Sequence, residues 1–161
     1  MGGAAWDALY DGAPTTTWFA MQIRPFRDSD EAAVIALWEA AGLTRSWNDP
    51  RKDIERKRAV QREWFLVGTV DAVVMASIMI GYDGHRGWIN YLAVSPERQK
   101  SGCGRLIMEH AETLLRARGC PKINLQVRAT NRGVIEFYQR LGFADDHVVS
   151  LGKRLITDEP A

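Results

Sequence analysis

Between Trp88 and Arg118 the chain passes from a strand into a long helix, and that junction narrows the folds open to it. Trp88–Val94 is rich in β-formers and halts at Ser95-Pro96, where proline removes a backbone donor. Gly102 and Gly104 follow, and from Gly104 to Arg118 the residues Leu106, Ile107, Ala111, Leu114 and Leu115 recur at helical spacing. Glycines at a helix start let the backbone approach a ligand and aim unpaired N–H groups at it. With the positive end of the helix dipole, those groups make an anion site suited to a pyrophosphate. Lys100 and Arg105 add positive charge. Two glycines in this place are equally compatible with a plain turn.

Elsewhere the punctuation is regular. Met21–Pro25 reads as a short strand, and Asp28 with Glu31 as a capping-box-like start for a helix ended by Gly42. Asn48-Asp49-Pro50 opens a second helix predicted to reach about Arg62. Phe65–Val70 and Val73–Ile80 form a hairpin across Asp71, and Gly81 to Gly87 is turn chemistry throughout. Ile123–Val127 is a strand, Gly133–Leu141 a short helix, and Phe143–Leu151 with Arg154–Ile156 two last strands. The resulting order, β-α-α-β-β-β-α-β-α-β-β, implies an α/β (α+β) fold with a mixed sheet and helices on its faces.

Composition removes several function classes. At 161 residues, one domain is expected. A formal charge of +1 gives no basic face for nucleic acid. The stretch Ala72–Ile80, interrupted by Ser77, is far shorter than the ~20 residues of a membrane span. Two cysteines, Cys103 and Cys120, make no disulfide framework and point to a reducing, cytoplasmic setting. His85, His110 and His147 lack metal-ligand spacing, so no metal is expected. Residues 1–20 show no periodicity and no signal-peptide pattern, so a flexible tail is expected there and the domain at 21–161.

Gln99-Lys100-Ser101-Gly102-Cys103-Gly104 matches the Gln/Arg-x-x-Gly-x-Gly/Ala pattern of the GCN5-related N-acetyltransferases, the GNAT family. Asn131 and the segment Phe137-Tyr138-Gln139-Arg140-Leu141-Gly142-Phe143 resemble that family's Asn…Phe-Tyr-x-x-x-Gly-Phe stretch. The segments Trp47–Pro50, Asp53–Lys57, Gly81–Gly87 and Ser150–Ile156 are similar to the YpeA-type branch. The resemblance implies a GNAT-like acyl-CoA N-acyltransferase fold, its sheet mostly antiparallel with helices on both faces. It implies acetyl-CoA as co-substrate and a small-molecule or peptide amine as acceptor, acetylated by direct attack.

By the same resemblance, Leu92, Ala93 and Val94 lie on a bulged strand whose backbone pairs with the pantetheine arm. Gln99, Lys100, Ser101, Gly102, Cys103, Gly104 and Arg105 form the pyrophosphate loop, and Asn131 bonds the arm. Tyr138 is the general acid for the departing thiolate. A C-terminal strand in such folds can pair across a homodimer. A non-catalytic acyl-CoA sensor or adaptor is the competing reading.

The general base stays unassigned. Gln126 and Asn90 stand where related chains carry an acid, and an amide cannot accept a proton as a base. Asp83 and His85 are candidates, against a plain turn role. Water, or an amine that binds already neutral, would also serve. Cys103 has no evident base beside it and contributes backbone rather than a nucleophile. Trp47 is a candidate for lining the acceptor pocket. The mixed charges of the second helix read as a solvated face, with an acidic acceptor as the alternative.

Overall fold

The hairpin forms as expected, and the rest of the sheet is built outward from it. The computed structural model describes residues 21–158, so the expected tail at 1–20 lies outside the described residues. Strand β2 (Phe65–Val70) turns through Asp71 and Ala72 into β3 (Val73–Tyr82). Both turn residues are left-handed, with φ of 49° and 64°, the geometry whose twist suits a two-residue hairpin. β1 (Gln22–Pro25) pairs antiparallel with β2, and β4 (Gly87–Val94) antiparallel with β3. β5 (Ile123–Asn124) joins β4 in parallel, giving the order β1-β2-β3-β4-β5.

Strand side chains alternate between two cores, which is why the central strands are apolar on both faces. Leu66, Ala76, Ile78, Ile80 and Ile89 pack beneath α3 (Cys103–Ala117), against Ile107, Met108, Ala111 and Leu115. Phe65, Val67, Met79 and Ala93 face the other way, against Val34, Leu37 and Trp38 of α1 (Glu31–Ala40) and Ile54 of α2 (Pro50–Ala59). α4 (Arg132–Arg140) adds Tyr138 to the α3 side. Helices therefore cover both faces of a mixed sheet, as the pattern implied.

The departures are local. A 3-10 turn at Asp28–Asp30 precedes α1, and Asp30 rather than Asp28 accepts the Arg27 N–H, at 2.8 Å. Asp28 instead pairs with Arg58 and Arg62. α2 stops at Ala59 rather than about Arg62, because Gln61 turns left-handed (φ 50°) before a second 3-10 turn. β5 keeps two of its five expected residues, and the two last strands do not form. Val148, Val149, Leu151, Leu155 and Ile156 are all at least 70% exposed. A strand needs a neighbouring edge to supply its hydrogen bonds, and the two-residue β5 supplies almost none. The segment is tied by side chains instead: Lys122 to Asp146 at 2.6 Å, and Gln126 Nε2 to Ser150 Oγ at 2.5 Å.

Two buried polar contacts hold the α1–α2 layer. The Trp38 indole N–H donates to Ser77 Oγ at 2.8 Å, with both side chains fully buried. Asp158, its side chain 2% exposed, accepts from both Arg56 nitrogens at 3.0 and 2.6 Å and from the Asp49 N–H at 3.2 Å. Asp49 is itself the N-cap of α2, accepting from the Arg51 N–H. Replacing Ser77 by alanine leaves a buried indole N–H without a partner and should cost about 1–3 kcal/mol, read from urea midpoints at unchanged m-value.

The Arg56 guanidinium, then the Asp49 N–H, hold the Asp158 carboxyl below the usual carboxylate range. A folded-state value below the unfolded reference of ~3.9 stabilises the fold above that pH and is lost as pH falls through the folded value. Asp158→Asn should therefore be less stable than wild type at neutral pH, and the gap should narrow on acidification below about pH 4. Paired urea titrations along that range check it.

Candidate active site

The reactive geometry is set by an extra residue in β4. Ala93 pairs with Ser77 and Asn90 with Met79, so Tyr91 and Leu92 together oppose Ile78 alone. That is a β-bulge, and Tyr91 takes a left-handed conformation, φ 49°, to make it. A non-glycine residue there is strained by roughly 1–3 kcal/mol. Three contacts hold it. Its ring stacks on Trp38 at 4.0 Å, its hydroxyl donates to Asp53 Oδ2 at 2.6 Å, and its carbonyl accepts from Ser77 Oγ at 3.2 Å. Burial, then the Asp53 carboxylate, push the Tyr91 phenol above its ordinary range.

On its other edge β4 loses its neighbour. Pairing with β5 consists of Gly87 with Ile123 and Trp88 with Asn124, and goes no further. The Tyr91–Val94 backbone therefore faces a gap with no strand across it. Leu92 and Val94 turn toward the α3 side, while Ala93, 2% exposed, packs under α1.

Beyond Val94 the chain reaches α3 through Gln99–Gly102. Lys100 (φ 61°) and Gly102 (φ 89°) are both left-handed, and Gly102 has no atom where a Cβ would point. The first turn of α3 has neither a side-chain cap nor an acidic residue. Its N–H groups are therefore not neutralised from within the helix. The Gln99 side chain donates to the Val94 carbonyl at 3.3 Å, tying the loop to the bulged strand. Ser101 Oγ bonds the Arg98 carbonyl and, at 3.2 Å, Cys103 Sγ. Cys103 is buried, which fits its expected role as a backbone contributor. Lys100 and Arg105 are exposed, Arg105 3.9 Å from Glu109.

Gly104 is where the two sequence motifs meet. A Cβ there would lie 3.1 Å from the Phe137 ring and 3.6 Å from Val94 Cγ2. Only a glycine lets α3, α4 and the end of β4 approach so closely. Tyr138, next to Phe137, is 8% exposed and edge-on to both Phe137 and Phe143. Its hydroxyl has no hydrogen-bond partner among the described residues, and burial pushes the phenol well up. Asn131 is exposed at the start of α4, seven residues before Tyr138 and so about 10 Å away along the axis. Its side chain bonds none of the described residues.

A cleft of about 370 Å³ opens on the α2 side of the bulge, lined by Asn48, Asp53, Lys57, Met79, Ile80, Gly81, Asn90 and Tyr91. Sequence reasoning gave Asn90 some weight here and missed Tyr91, Asp53 and Lys57 as a group. Asp53 and Lys57 lie one helical turn apart on α2, a spacing visible in the sequence but indistinguishable from a solvated ion-pair face.

Other expectations resolve plainly. Asp83 accepts from the His85 and Arg86 N–H groups and from the Trp88 indole at 2.9 Å, contacts that draw its carboxyl down to about 2. It is a turn-former, and His85 sits exposed on that turn. Trp47 is 46% exposed under the Arg128 guanidinium, while its neighbour Asn48 lines the cleft. Among the described residues no group of three or more His, Cys, Asp or Glu is placed to hold a metal, and no helix is long and apolar enough to cross a membrane.

The acetyltransferase (GNAT) family model matches residues 17–143. Acetyltransferase YE1169 of Yersinia enterocolitica is 46% identical over 139 residues, covering 86% of this chain and 99% of that protein. The crystal structure of Ard1 from Thermoplasma volcanium superposes with a TM-score of 0.67 at 26% identity, over 78% of this chain and 83% of that one. PaiA N-acetyltransferase from Thermoplasma acidophilum, solved in complex with coenzyme A, has the same fold: TM-score 0.65, 16% identity, 80% of this chain and 92% of that one. The bulged and half-abandoned β4, the uncapped start of α3 and the extent of these matches place the chain in the GNAT family, as an acetyltransferase that uses acetyl-CoA.

Proposed function

We propose that this enzyme transfers an acetyl group from acetyl-CoA to the amine of a small molecule or peptide, at the Tyr91–Leu92 bulge. The observation that carries this reading is the opening between β4 and β5, flanked by the uncapped α3 terminus on one side and the α2 cleft on the other. The residues present suit an anionic ligand with an amide-bearing arm. The Gln99–Arg105 loop offers N–H groups and no acid to the diphosphate, and the Leu92–Val94 edge offers backbone partners to the arm. Asn131, at the N-terminal end of α4, is assigned to the same arm.

Acetyl-CoA supplies the acetyl thioester. N–H groups freed by the bulge stabilise negative charge developing on the acyl oxygen. Asn90 and Tyr91 bring the acceptor cleft to the same point of the strand, which supplies proximity rather than covalent help. Tyr138 holds its proton at the phenol oxygen, because burial keeps it neutral throughout the working pH range, and gives that proton to the departing sulfur.

Among the described residues no free carboxylate lines the cleft to act as base. Both Asp53 oxygens are engaged, one by Tyr91 at 2.6 Å and one by Arg56 at 2.8 Å. The acceptor amine therefore binds neutral or loses its proton to water. kcat/KM should then rise with pH up to the acceptor's own pKa and track that pKa when the acceptor is changed, measured as thiol release from acetyl-CoA.

Tyr138→Phe should lower kcat by about 10²-fold or more while leaving acetyl-CoA affinity within a few-fold. Steady-state kinetics and calorimetric titration with acetyl-CoA check both halves, and a fully active variant removes Tyr138 from the mechanism. In wild type, stabilisation by ATP or NAD without stabilisation by acetyl-CoA in a thermal shift series would overturn the whole reading.

A further inference from the structure

We propose that the cleft selects acceptor amines that also carry a carboxylate, gripped by the Lys57 side chain. The proposal rests on the acetyltransferase reading and names the substrate class of the same site.

The starting point is the sorting of charge on α2. Arg51 pairs with Glu31 at 2.9 Å, Arg56 with Asp53 at 2.8 Å and Asp158 at 2.6 Å, and Arg58 with Asp28 at 3.0 Å. Lys57 takes another course. It turns toward the sheet, half-buried, and its Nζ donates to the Ile80 carbonyl at 2.5 Å. Among the described residues no carboxylate lies within ion-pair distance of it. An ammonium has three donors, so two remain for whatever enters the cleft.

The one acid lining the cleft does not answer this charge. Asp53 is already compensated by Arg56 and by the Tyr91 hydroxyl. The cleft therefore holds a neutralised anion and an unneutralised cation. Withdrawing a cation from water is costly unless an anion and further hydrogen bonds replace the lost solvation. Burial draws the Lys57 ammonium below the usual lysine range, the more distant Glu63 carboxylate acting in the opposite sense without bonding it. A carboxylate supplies it, with acceptor oxygens for Lys57 and for the carboxamides of Asn48 and Asn90.

Size and charge narrow the class. A cleft of about 370 Å³ falls at the small end of ligand pockets, enough for an amino acid or a short peptide end. A polycationic amine would meet Lys57 as a like charge and be disfavoured.

Matched acceptors decide it. Free amino acids, dipeptides, and peptide amides with an acidic second residue are each compared with their carboxamide counterparts by thiol release. Wild type should favour acids over amides by at least about tenfold in kcat/KM, the strength of one hydrogen bond to a charged group. Whichever arm shows that preference identifies the carboxylate's source. The preference should survive in Lys57→Arg and fall toward unity in Lys57→Met. Equal use of acids and amides by wild type, or a preference retained in Lys57→Met, overturns the proposal.

A binding readout separates this from failure of the acetyltransferase reading. With lysines carrying ¹³C at Cε and coenzyme A present, butanoate should shift the Lys57 resonance saturably and butanamide should not. If no amine is acetylated, the transferase reading falls, and this titration still decides the carboxylate site. A Lys57 signal that ignores butanoate sinks it.

Discussion

Everything at this site depends on one strained residue. Tyr91 is held left-handed in the middle of a strand, and without that distortion β4 would run in register with β3 past Ile78. A strain of roughly 1–3 kcal/mol persists only when its surroundings over-determine it. Stacking on Trp38 contributes about 0.5–1.5 kcal/mol, and a hydrogen bond to the Asp53 carboxylate about 1.5–3 kcal/mol. Together these offset the strain. Each contact also has a supporter behind it: Ser77 receives the Trp38 indole, and Arg56 holds Asp53 while being gripped by Asp158. The buttress thus runs from the C-terminal segment through α2 to the bulge, and two of its members, Asp53 and Tyr91, line the cleft on the α2 side.

The two halves of the site differ in how they were written into the chain. The half proposed to hold the cofactor is marked in the sequence because it is local. Gly102 and Gly104 sit two residues apart at the start of α3, and each has a conformational reason to be glycine: a φ of 89° in one case, contact with Phe137 and Val94 in the other. Such requirements leave a mark at fixed spacing. The acceptor half is assembled from residues 48–57 and 79–91, brought together by the β3–β4 ladder and the packing of Ile54 under the sheet. No local spacing records that meeting. Tyr91 was visible only as one more β-former, since a bulge is a property of two strands in register and not of one.

The C-terminal error has the opposite cause. Val148, Val149, Leu151, Leu155 and Ile156 carry the composition of strands, yet composition gives a strand only where an edge offers unpaired backbone groups. β5 ends after Asn124, and past it the chain is held by Lys122, Asn124 and Gln126 through their side chains. The early end of β5 that cancels the last strands is the same event that leaves the Tyr91–Val94 edge of β4 unpaired. One interruption of a ladder therefore explains both a failed expectation and the open edge to which the proposed function assigns the cofactor's arm.

Charge on α2 is the remaining point, and it turns on which residues can reach water. A mixed run of acids and bases on a helix reads as a solvated face, and for Arg51 and Arg58 that is what the structure contains. Ion pairs of this exposed kind contribute little, around 0–1 kcal/mol each. Asp53 and Lys57 differ because α2 meets the sheet through Ile54, and its neighbours on that side are carried over the cleft with it. Once there, Asp53 is satisfied by groups of the protein itself, whereas among the described residues Lys57 Nζ hydrogen-bonds only the Ile80 carbonyl. The asymmetry follows from packing a single isoleucine, and it leaves a lysine ammonium on the α2 side of the bulge while the buried Tyr138 phenol lies in the core on the α3 side. Under the proposed reading, such a site would bind the far end of its substrate by charge and leave the amine itself uncharged to react.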